Sequence, residues 1–208
     1  MTTWKVLEGL WGMLWWIGGG IVALAVVAIL LLTLLQDIET PAYAVEQSDD
    51  AFEVRRYPGL VVAEVVREGS RRRAIQNGFR PLASYIFATN RPGARIPMTA
   101  PVTQLPGAGT ADWRVRFIMP GDRAIDSLPP PASRDVTLHR LPPTRRAAVR
   151  FSGVGTDKAF GAHEKALRAW IKERGLQAVG AAEFAYYNDP STPGFLRRNE
   201  VLIDVLAP

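Results

Sequence analysis

An internal repeat constrains the fold of this chain more than any other feature of its sequence. Residues 52–58 align with residues 136–142 at an offset of 84 residues, and each copy is predicted to be a strand that ends at or near a proline. A second strand follows each copy, over residues 60–66 and 145–152, and an amphipathic helix follows each second strand. Two more strands complete each half, over residues 96–103 and 113–119 in the first and 183–188 and 200–206 in the second. The chain is therefore predicted to contain a duplicated β-β-α-β-β unit.

Both helices are predicted from apolar residues that recur at helical spacing. In the first helix these residues stand at relative positions 0, 4, 7 and 11 and are Ile75, Phe79, Leu82 and Ile86. In the second helix they stand at positions 0, 7 and 11 and are Phe160, Leu167 and Ile171. Ser70 is a suitable N-cap for the first helix, which we expect to extend to about Thr89, and Thr156 or Asp157 is suitable for the second.

Two such units can bury their apolar surfaces by pairing their sheets and packing one helix on each. The expected fold class is α+β, with a twisted, largely antiparallel, barrel-like sheet of eight strands, two helices and pseudo-two-fold symmetry. Pro129–Pro131 is interpreted as a stiff connector within this one domain. Residues 96–102 contain two prolines, which cannot donate to a neighbouring strand, so we expect an edge strand or the start of a strand. This rigid segment either forms a wall for a flat ligand or seals an edge of the sheet.

A long apolar segment precedes the repeat. No charged residue occurs from Gly9 to Gln36. Residues 16–35 would form about 30 Å of helix, enough to cross a bilayer. We therefore predict a transmembrane anchor over residues 1–36, a polar linker over 37–50 and the folded domain over 51–208. A signal peptide cleaved after Ala44 is the alternative, because residues 42–44 have the A-x-A pattern, but the length of the apolar run favours an uncleaved anchor.

The flanking charges predict the orientation of this anchor. Lys5 and the terminal amine precede the apolar segment, and the next Lys or Arg after it is Arg55. Because positive charge stays in the cytoplasm, we expect a single-pass membrane protein with a cytoplasmic N-terminus. The domain is then extracytoplasmic, which means periplasmic if the source has two membranes.

The charge of the domain indicates the chemistry of its partners. From Val45 onward there are 24 Lys and Arg residues against 17 Asp and Glu residues, a balance that favours anionic ligands or lipid headgroups. Nucleic acid is not expected, because no nucleic-acid-binding motif is present. The sequence does not indicate which proteins, if any, are partners.

Signatures of catalysis are missing from the sequence. There is no Cys, no G-x-S-x-G motif, no P-loop and no His-rich metal-binding spacing, so we expect a protein that is not an enzyme. Glu183, Glu200, Tyr186 and Tyr187 can be imagined as an acid–base pocket with a raised carboxyl pKa. We expect instead that Glu200 pairs with an arginine, such as Arg197 or one on a neighbouring strand.

Five stretches of the domain, taken together, resemble a known family. They are residues 52–57, 77–87, 96–102, 113–120 and 197–201. In this order they are similar to the SOUL haem-binding protein family, and the similarity covers nearly the whole domain but not the anchor. The resemblance implies a twisted barrel of about eight strands with two helices. It also implies non-covalent binding of haem or another tetrapyrrole in an apolar groove beside the first helix, and kinship to bacterial effector-binding domains.

A porphyrin needs apolar contacts on its faces and cations near its propionates. The apolar candidates are Phe79, Leu82, Ala83, Ile86, Met98, Phe195 and Leu196. The cationic candidates, whose guanidinium groups can bind carboxylates with two hydrogen bonds, are Arg71, Arg72, Arg73, Arg80, Arg197 and Arg198. The alternative roles are core packing for the first set and solvation or local ion pairs for the second.

The axial ligand of a haem iron is left open by the sequence. Only His139 and His163 are present, and His is the usual neutral ligand. His139 is expected at a surface position of a strand, and His163 beside the buried face of the second helix. Met98 is a weaker thioether candidate, because a methionine in this position more often packs in a core or wall.

Three functions of different kinds therefore remain open. The first is a membrane-anchored binder of haem or another tetrapyrrole. The second is a site that binds or senses another amphipathic small molecule. The third is an interaction domain without a small ligand.

Overall fold

A computed structural model of the chain describes residues 24, 38–109 and 111–206. The chain divides into two units, Met1–Ile38 and Glu39–Pro208, and the fold given below is that of the second unit. The predicted transmembrane anchor, residues 1–36, lies outside the described residues apart from residue 24. Within the described part of the chain, no helix is long and apolar enough to cross a membrane.

Nine strands and two α-helices make up the described part of the second unit. In chain order they are β1 (Ala44–Asp49), β2 (Phe52–Tyr57), β3 (Leu60–Glu68), α1 (Arg71–Ile86), β4 (Val102–Pro106), β5 (Asp112–Ile118), β6 (Thr137–Leu141), β7 (Thr144–Ser152), α2 (Asp157–Glu173), β8 (Gln177–Tyr186) and β9 (Arg198–Leu206). The strands β2 to β5 with α1, and β6 to β9 with α2, are the two copies of the β-β-α-β-β unit. The predicted α+β class and duplication are confirmed.

The helices begin where the sequence places their caps. The Ser70 Oγ accepts a hydrogen bond from the Arg73 backbone N–H at 3.4 Å, and the Thr156 Oγ1 accepts one from the Ala159 N–H at 3.1 Å. Inside α1, Gly78 permits close approach to the sheet, because an added Cβ would lie only 2.8 Å from the Val115 Cγ2.

All nine strands form one antiparallel sheet in the order β1-β2-β7-β9-β8-β4-β5-β3-β6. The first strand of each repeat pairs with the second strand of the other repeat: β2 with β7, and β6 with β3. Each half therefore supplies strand partners to the other half.

The sheet differs from the prediction in two ways. It is open, with β1 and β6 at its two edges, and it has nine strands rather than the predicted eight. The additional strand, β1, falls within the predicted linker, which is therefore wrong over Ala44–Asp49. Nearly every residue of β1 is exposed, so the strand has no apolar alternation by which a sequence pattern can be recognised. Backbone pairing with β2 holds it in place.

The proline-containing segment at residues 96–102 leads into a strand and is not an edge strand. Only Val102 belongs to β4, which lies between β8 and β5 in the middle of the sheet. Pro97 and Pro101 precede β4, where their missing N–H groups interrupt no strand pairing. The expectation of a strand start is confirmed, and that of an edge strand is wrong.

Both helices pack on the same face of the sheet. One row of directly opposed residues crosses six strands on this face and consists of Val65, Val115, Gln104, Phe184, Val201 and Val149. α1 buries its apolar residues on β3 and β5, and α2 buries its own on β7, β8 and β9. Neither helix covers the opposite face, which we call the helix-free face.

Candidate functional site

The helix-free face carries a buried network of charges centred on Glu200. This side chain is 0% exposed. Arg55 donates from Nη1 and Nη2 to its two carboxylate oxygens at 2.7 and 3.1 Å. Arg198 donates from Nε and Nη2 to Oε1 at 3.0 and 2.7 Å, and the Tyr187 hydroxyl donates to Oε2 at 2.8 Å. The expectation that Glu200 pairs with an arginine is confirmed, although Arg197 is not its partner.

This network keeps Glu200 ionised. Burial alone would raise the pKa of its carboxyl group, but the hydrogen bonds and charges of Arg55 and Arg198 outweigh burial, so the pKa lies below its ordinary value of 4.5. Burial and the nearby Glu200 raise the pKa of the Tyr187 phenol above its ordinary value of 10. Tyr187 therefore stays protonated at neutral pH and acts as a hydrogen-bond donor.

Two further buried ion pairs lie on the same face. The Arg146 Nη1 is 2.9 Å from the Glu183 Oε2, and the Arg116 Nε donates to the Glu64 Oε2 at 2.5 Å. For Glu183, burial again favours the neutral form, but the charges of Arg146 and Arg116 together with hydrogen bonding outweigh burial, so the pKa of its carboxyl group is lowered. Neither Glu183 nor Glu200 thus has the raised pKa that the imagined acid–base pocket requires.

The segment before β1 packs against this face, although the whole of residues 37–50 was predicted to be a linker. We call residues 39–43 the strap. The Glu39 carbonyl accepts a hydrogen bond from the Ala100 N–H at 2.8 Å. Farther along, the Tyr43 ring lies 5.1 Å from the Tyr57 ring, and the Arg55 guanidinium lies 4.4 Å from the centre of the Tyr43 ring. The strap is therefore part of the packed domain.

Two cavities meet at the Tyr43–Tyr57 pair. An open groove of about 650 Å³ lies between residues 42–44 and the ends of β2 and β7. An inner cavity of about 20 Å³, bordered also by Arg146 and Glu183, lies behind the tyrosines and is large enough for about one water molecule. The repeat closes its two strands at Pro58 and Pro142, and the groove is lined by Pro58 and by the neighbouring Pro143. Pro58 and Pro143 come together because β2 of the first half pairs with β7 of the second.

Most residues of the predicted tetrapyrrole site lie on the other side of the sheet, on and around α1. Leu82 and Ile86 are 0% and 1% exposed and belong to the core under the helix, so the apolar pattern identified packing residues at these two positions. Ala83 and Met98 are half-buried against the same core. Phe79 is 38% exposed, and its ring packs edge-on against Phe117 at 5.1 Å.

The predicted arginines separate into three groups. Arg71 is buried: its Nε donates to the Asp157 Oδ1 at 2.6 Å, and it also bonds to Tyr186, so it ties the start of α1 to the start of α2. Arg197 donates to loop carbonyls, and Arg198 belongs to the Glu200 network. Only the third group is exposed and makes no side-chain hydrogen bond or ion pair with the described residues; it consists of Arg72, Arg73 and Arg80.

Phe195 lies in a short 3-10 turn, Gly194–Leu196, that connects to the start of α1 through a second loop. Its side chain is 77% exposed. The Gly194 carbonyl accepts a hydrogen bond from the Gly153 N–H at 3.0 Å, and the Gly155 carbonyl accepts one from the Arg71 Nη2 at 3.3 Å. The structure thus links the Phe195 turn to the α1 end of the predicted site.

Both histidines have local structural partners. The His139 Nε2 is 2.9 Å from the Thr137 Oγ1 on β6. The His163 ring stacks on Phe151 with 3.9 Å between ring centres, and its Nδ1 is 2.8 Å from the Ala159 carbonyl oxygen. Neither lies on α1. Among residues 38–109 and 111–206, no group of three or more His, Cys, Asp or Glu side chains is arranged to hold a metal ion.

Comparison with known proteins gives a family and a set of similar folds. The family model described as "SOUL heme-binding protein" matches residues 38–204. The C-terminal domain of EcmrR is 13% identical with a TM-score of 0.59, and the match covers 80% of this chain and 99% of that one. A hydrolase from Listeria innocua is 12% identical with a TM-score of 0.54 and coverages of 77% and 94%. At these identities the structures show a shared fold alone. No curated protein matches the chain.

Proposed function

This chain belongs to the SOUL heme-binding protein family, whose model matches residues 38–204. We propose that it binds haem or another tetrapyrrole non-covalently on the outer flank of α1, the side of the helix that carries Arg72, Phe79 and Ala83. The observation that carries the proposal is an exposed aromatic ring, Phe79, beside arginines whose guanidinium groups are unpaired among the described residues. On the helix-free face, by contrast, the buried arginines already bind carboxylates. The exposed arginines of α1 can therefore bind the propionates of a ligand.

Helical geometry places the relevant side chains on one flank. Arg72, Phe79 and Ala83 are seven and four residues apart, so they lie along one side of α1. Phe79 and Ala83 offer apolar contact to a flat ring, and Met98 packs against the same core beside them. Arg72 stands in the first turn, where the unpaired N–H groups of the helix also favour negative charge.

These residues fit the ring and the propionates of a haem better than its iron. Haem itself would supply the iron chemistry, and the chain supplies the apolar flank and the cations. The α1 flank presents no histidine among the described residues, and Met98 is the sulfur ligand candidate on this side of the sheet. We therefore propose that apolar contact and charge hold the ligand and that an imidazole–iron bond is not required.

A haemin titration of the purified full-length chain, followed by the Soret absorbance, tests the proposal. Phe79→Asp places a charge against the porphyrin face and is expected to weaken binding about a hundredfold. The double variant R72E/R73E reverses two exposed charges and is expected to weaken it about tenfold, with a smaller effect at high salt. Arg168→Glu, at a partly exposed arginine of α2, is the control for charge reversal and is expected to leave haemin affinity unchanged. Unchanged binding in both α1 variants, with melting temperatures preserved, would remove α1 as the site.

We also propose that residues 1–36 anchor the protein in a membrane and that the domain is extracytoplasmic. The support is the charge-free segment from Gly9 to Gln36, together with Lys5 on its N-terminal side. A reporter enzyme that functions only outside the cytoplasm is expected to be active when it is fused after Pro208. Activity of a cytoplasm-only reporter at the same position would contradict the orientation.

A binding protein, rather than an enzyme, is the proposed class. Its support is that all three buried carboxylates on the helix-free face, Glu64, Glu183 and Glu200, have arginine partners, and that the pKa values of Glu183 and Glu200 are lowered. A general acid at neutral pH needs the opposite shift.

A further inference from the structure

The open groove beside the strap has the dimensions and walls of a small-molecule site. Its volume of about 650 Å³ falls within the range of roughly 300 to 1,000 Å³ that such sites occupy. Two aromatic rings and two proline rings form much of its wall: Tyr43, Tyr57, Pro58 and Pro143. Rigid flat side chains of this kind provide apolar contact for a planar ligand at little cost in side-chain entropy.

The groove also has an excess of positive charge. Arg56 of β2 and Arg145 of β7 are directly opposed across the two strands. Like charges in this arrangement repel each other. Glu46 lies between them and accepts from the Arg56 Nε at 2.7 Å and from the Arg145 Nε at 2.5 Å. One carboxylate thus serves two guanidinium groups, and the buried Arg145 Nη1 has no hydrogen-bond partner among the described residues. The cluster lacks one anion for charge balance.

We propose that this groove is a second ligand site, which binds a planar aromatic molecule carrying a carboxylate. The ring lies against the tyrosine and proline walls, and the carboxylate binds Arg56 and Arg145 in competition with Glu46. The site is separate from the proposed tetrapyrrole site, because α1 packs on β3 and β5 whereas the groove lies at the ends of β2 and β7. A failure to bind haemin would not contradict this proposal. A failure to bind an aromatic carboxylate in the groove would likewise not contradict the proposed tetrapyrrole site.

Because Glu46 competes with the ligand, one variant is expected to raise the affinity for an aromatic carboxylate and another to lower it. We would titrate the full-length chain with 2-naphthoate, a soluble aromatic carboxylate, by isothermal titration calorimetry. The Glu46→Gln variant removes the competing charge and is expected to bind about fivefold more tightly. Arg56→Glu, at a side chain that is 70% exposed, is expected to bind about tenfold more weakly. The neutral analogue 2-naphthamide is expected to bind wild type at least about tenfold more weakly than the acid does.

A second ion pair on the surface provides matched controls. Glu164 and Arg168 of α2 are 2.9 Å apart, are both partly exposed and border neither cavity. Glu164→Gln and Arg168→Glu make the same charge changes and should leave the affinity for 2-naphthoate unchanged. Absence of naphthoate binding to the wild type overturns the proposal. So does an affinity that is equal in the Glu46→Gln and Arg56→Glu variants when both melt as the wild type does.

Discussion

The buried ion pair between Arg55 and Glu200 should make a large and pH-dependent contribution to stability. Replacing Arg55 by Met keeps much of the side-chain volume but removes both hydrogen bonds to Glu200, at 2.7 and 3.1 Å, from a carboxylate with no exposed surface. Breaking one side of such a buried pair typically costs about 3 to 5 kcal/mol. Because Arg198 and Tyr187 still donate to Glu200, we expect about 3 kcal/mol, at the low end of that range.

The pH dependence of this loss distinguishes a charge effect from a packing effect. In the wild type the folded-state pKa of Glu200 is below its ordinary value of 4.5, so the unfolded chain binds the proton more readily. The stabilisation is therefore complete above pH 4.5 and is lost as the pH falls through the lower folded-state pKa. Without Arg55 the pKa is less depressed, so the difference in unfolding free energy between wild type and variant should shrink on acidification.

Urea unfolding at neutral pH and at acidic pH, followed by circular dichroism, measures both quantities. Arg168→Met, which breaks the partly exposed pair on α2, is the control and should cost less than about 1 kcal/mol with little pH dependence. A cost below about 1 kcal/mol for Arg55→Met would show that the Arg55–Glu200 pair behaves like an exposed ion pair and not like a buried one. A large cost that stays the same at both pH values would show that packing, and not the charge of Glu200, is responsible.

Two further predictions follow from helix packing and from the histidines. Gly78→Ala puts a methyl group 2.8 Å from a β5 side chain and should destabilise the domain by about 1 to 3 kcal/mol in thermal melts, whereas Gly161→Ala on α2, with no atom within 4 Å, should stabilise it by up to about 1 kcal/mol. Equal effects of the two would contradict the close packing of α1. Replacing His139 and His163 together by Ala should leave the Soret band of the haemin complex unchanged, and its loss in a folded variant would make an iron–imidazole bond necessary.

The parts of the fold that follow from local patterns were predictable from the sequence. Apolar residues at helical spacing identified both helices, and Ser70 and Thr156 capped them as expected. The repeat revealed the two β-β-α-β-β units. The pairing of strands between the units was not predictable, because strand partners depend on contacts between distant residues that no local pattern records. β1 was missed because its exposed residues lack alternation.

The candidate sites were predictable only in part, because apolar residues at helical spacing occur both on ligand-binding surfaces and in buried cores. Leu82 and Phe79 belong to one apolar stripe of α1, yet the sheet buries the first completely and leaves the second 38% exposed. The rotation of the helix on the sheet decides between them. Similarly, Arg198 and Arg72 are both arginines near element starts, but only the burial of Glu200 commits Arg198 to an ion pair.

Broadening of NMR signals by paramagnetic haemin is the most direct test of the central claim, that a tetrapyrrole lies on the outer flank of α1. The iron of haemin broadens the signals of nuclei close to it, so spectra of the full-length chain with and without haemin locate the ligand. With a tetrapyrrole on the α1 flank, we expect loss of signals from Phe79, Ala83 and Met98, with those of Tyr43 and Tyr57 preserved. Broadening centred on Tyr43 and Tyr57, with the α1 signals intact, would contradict it.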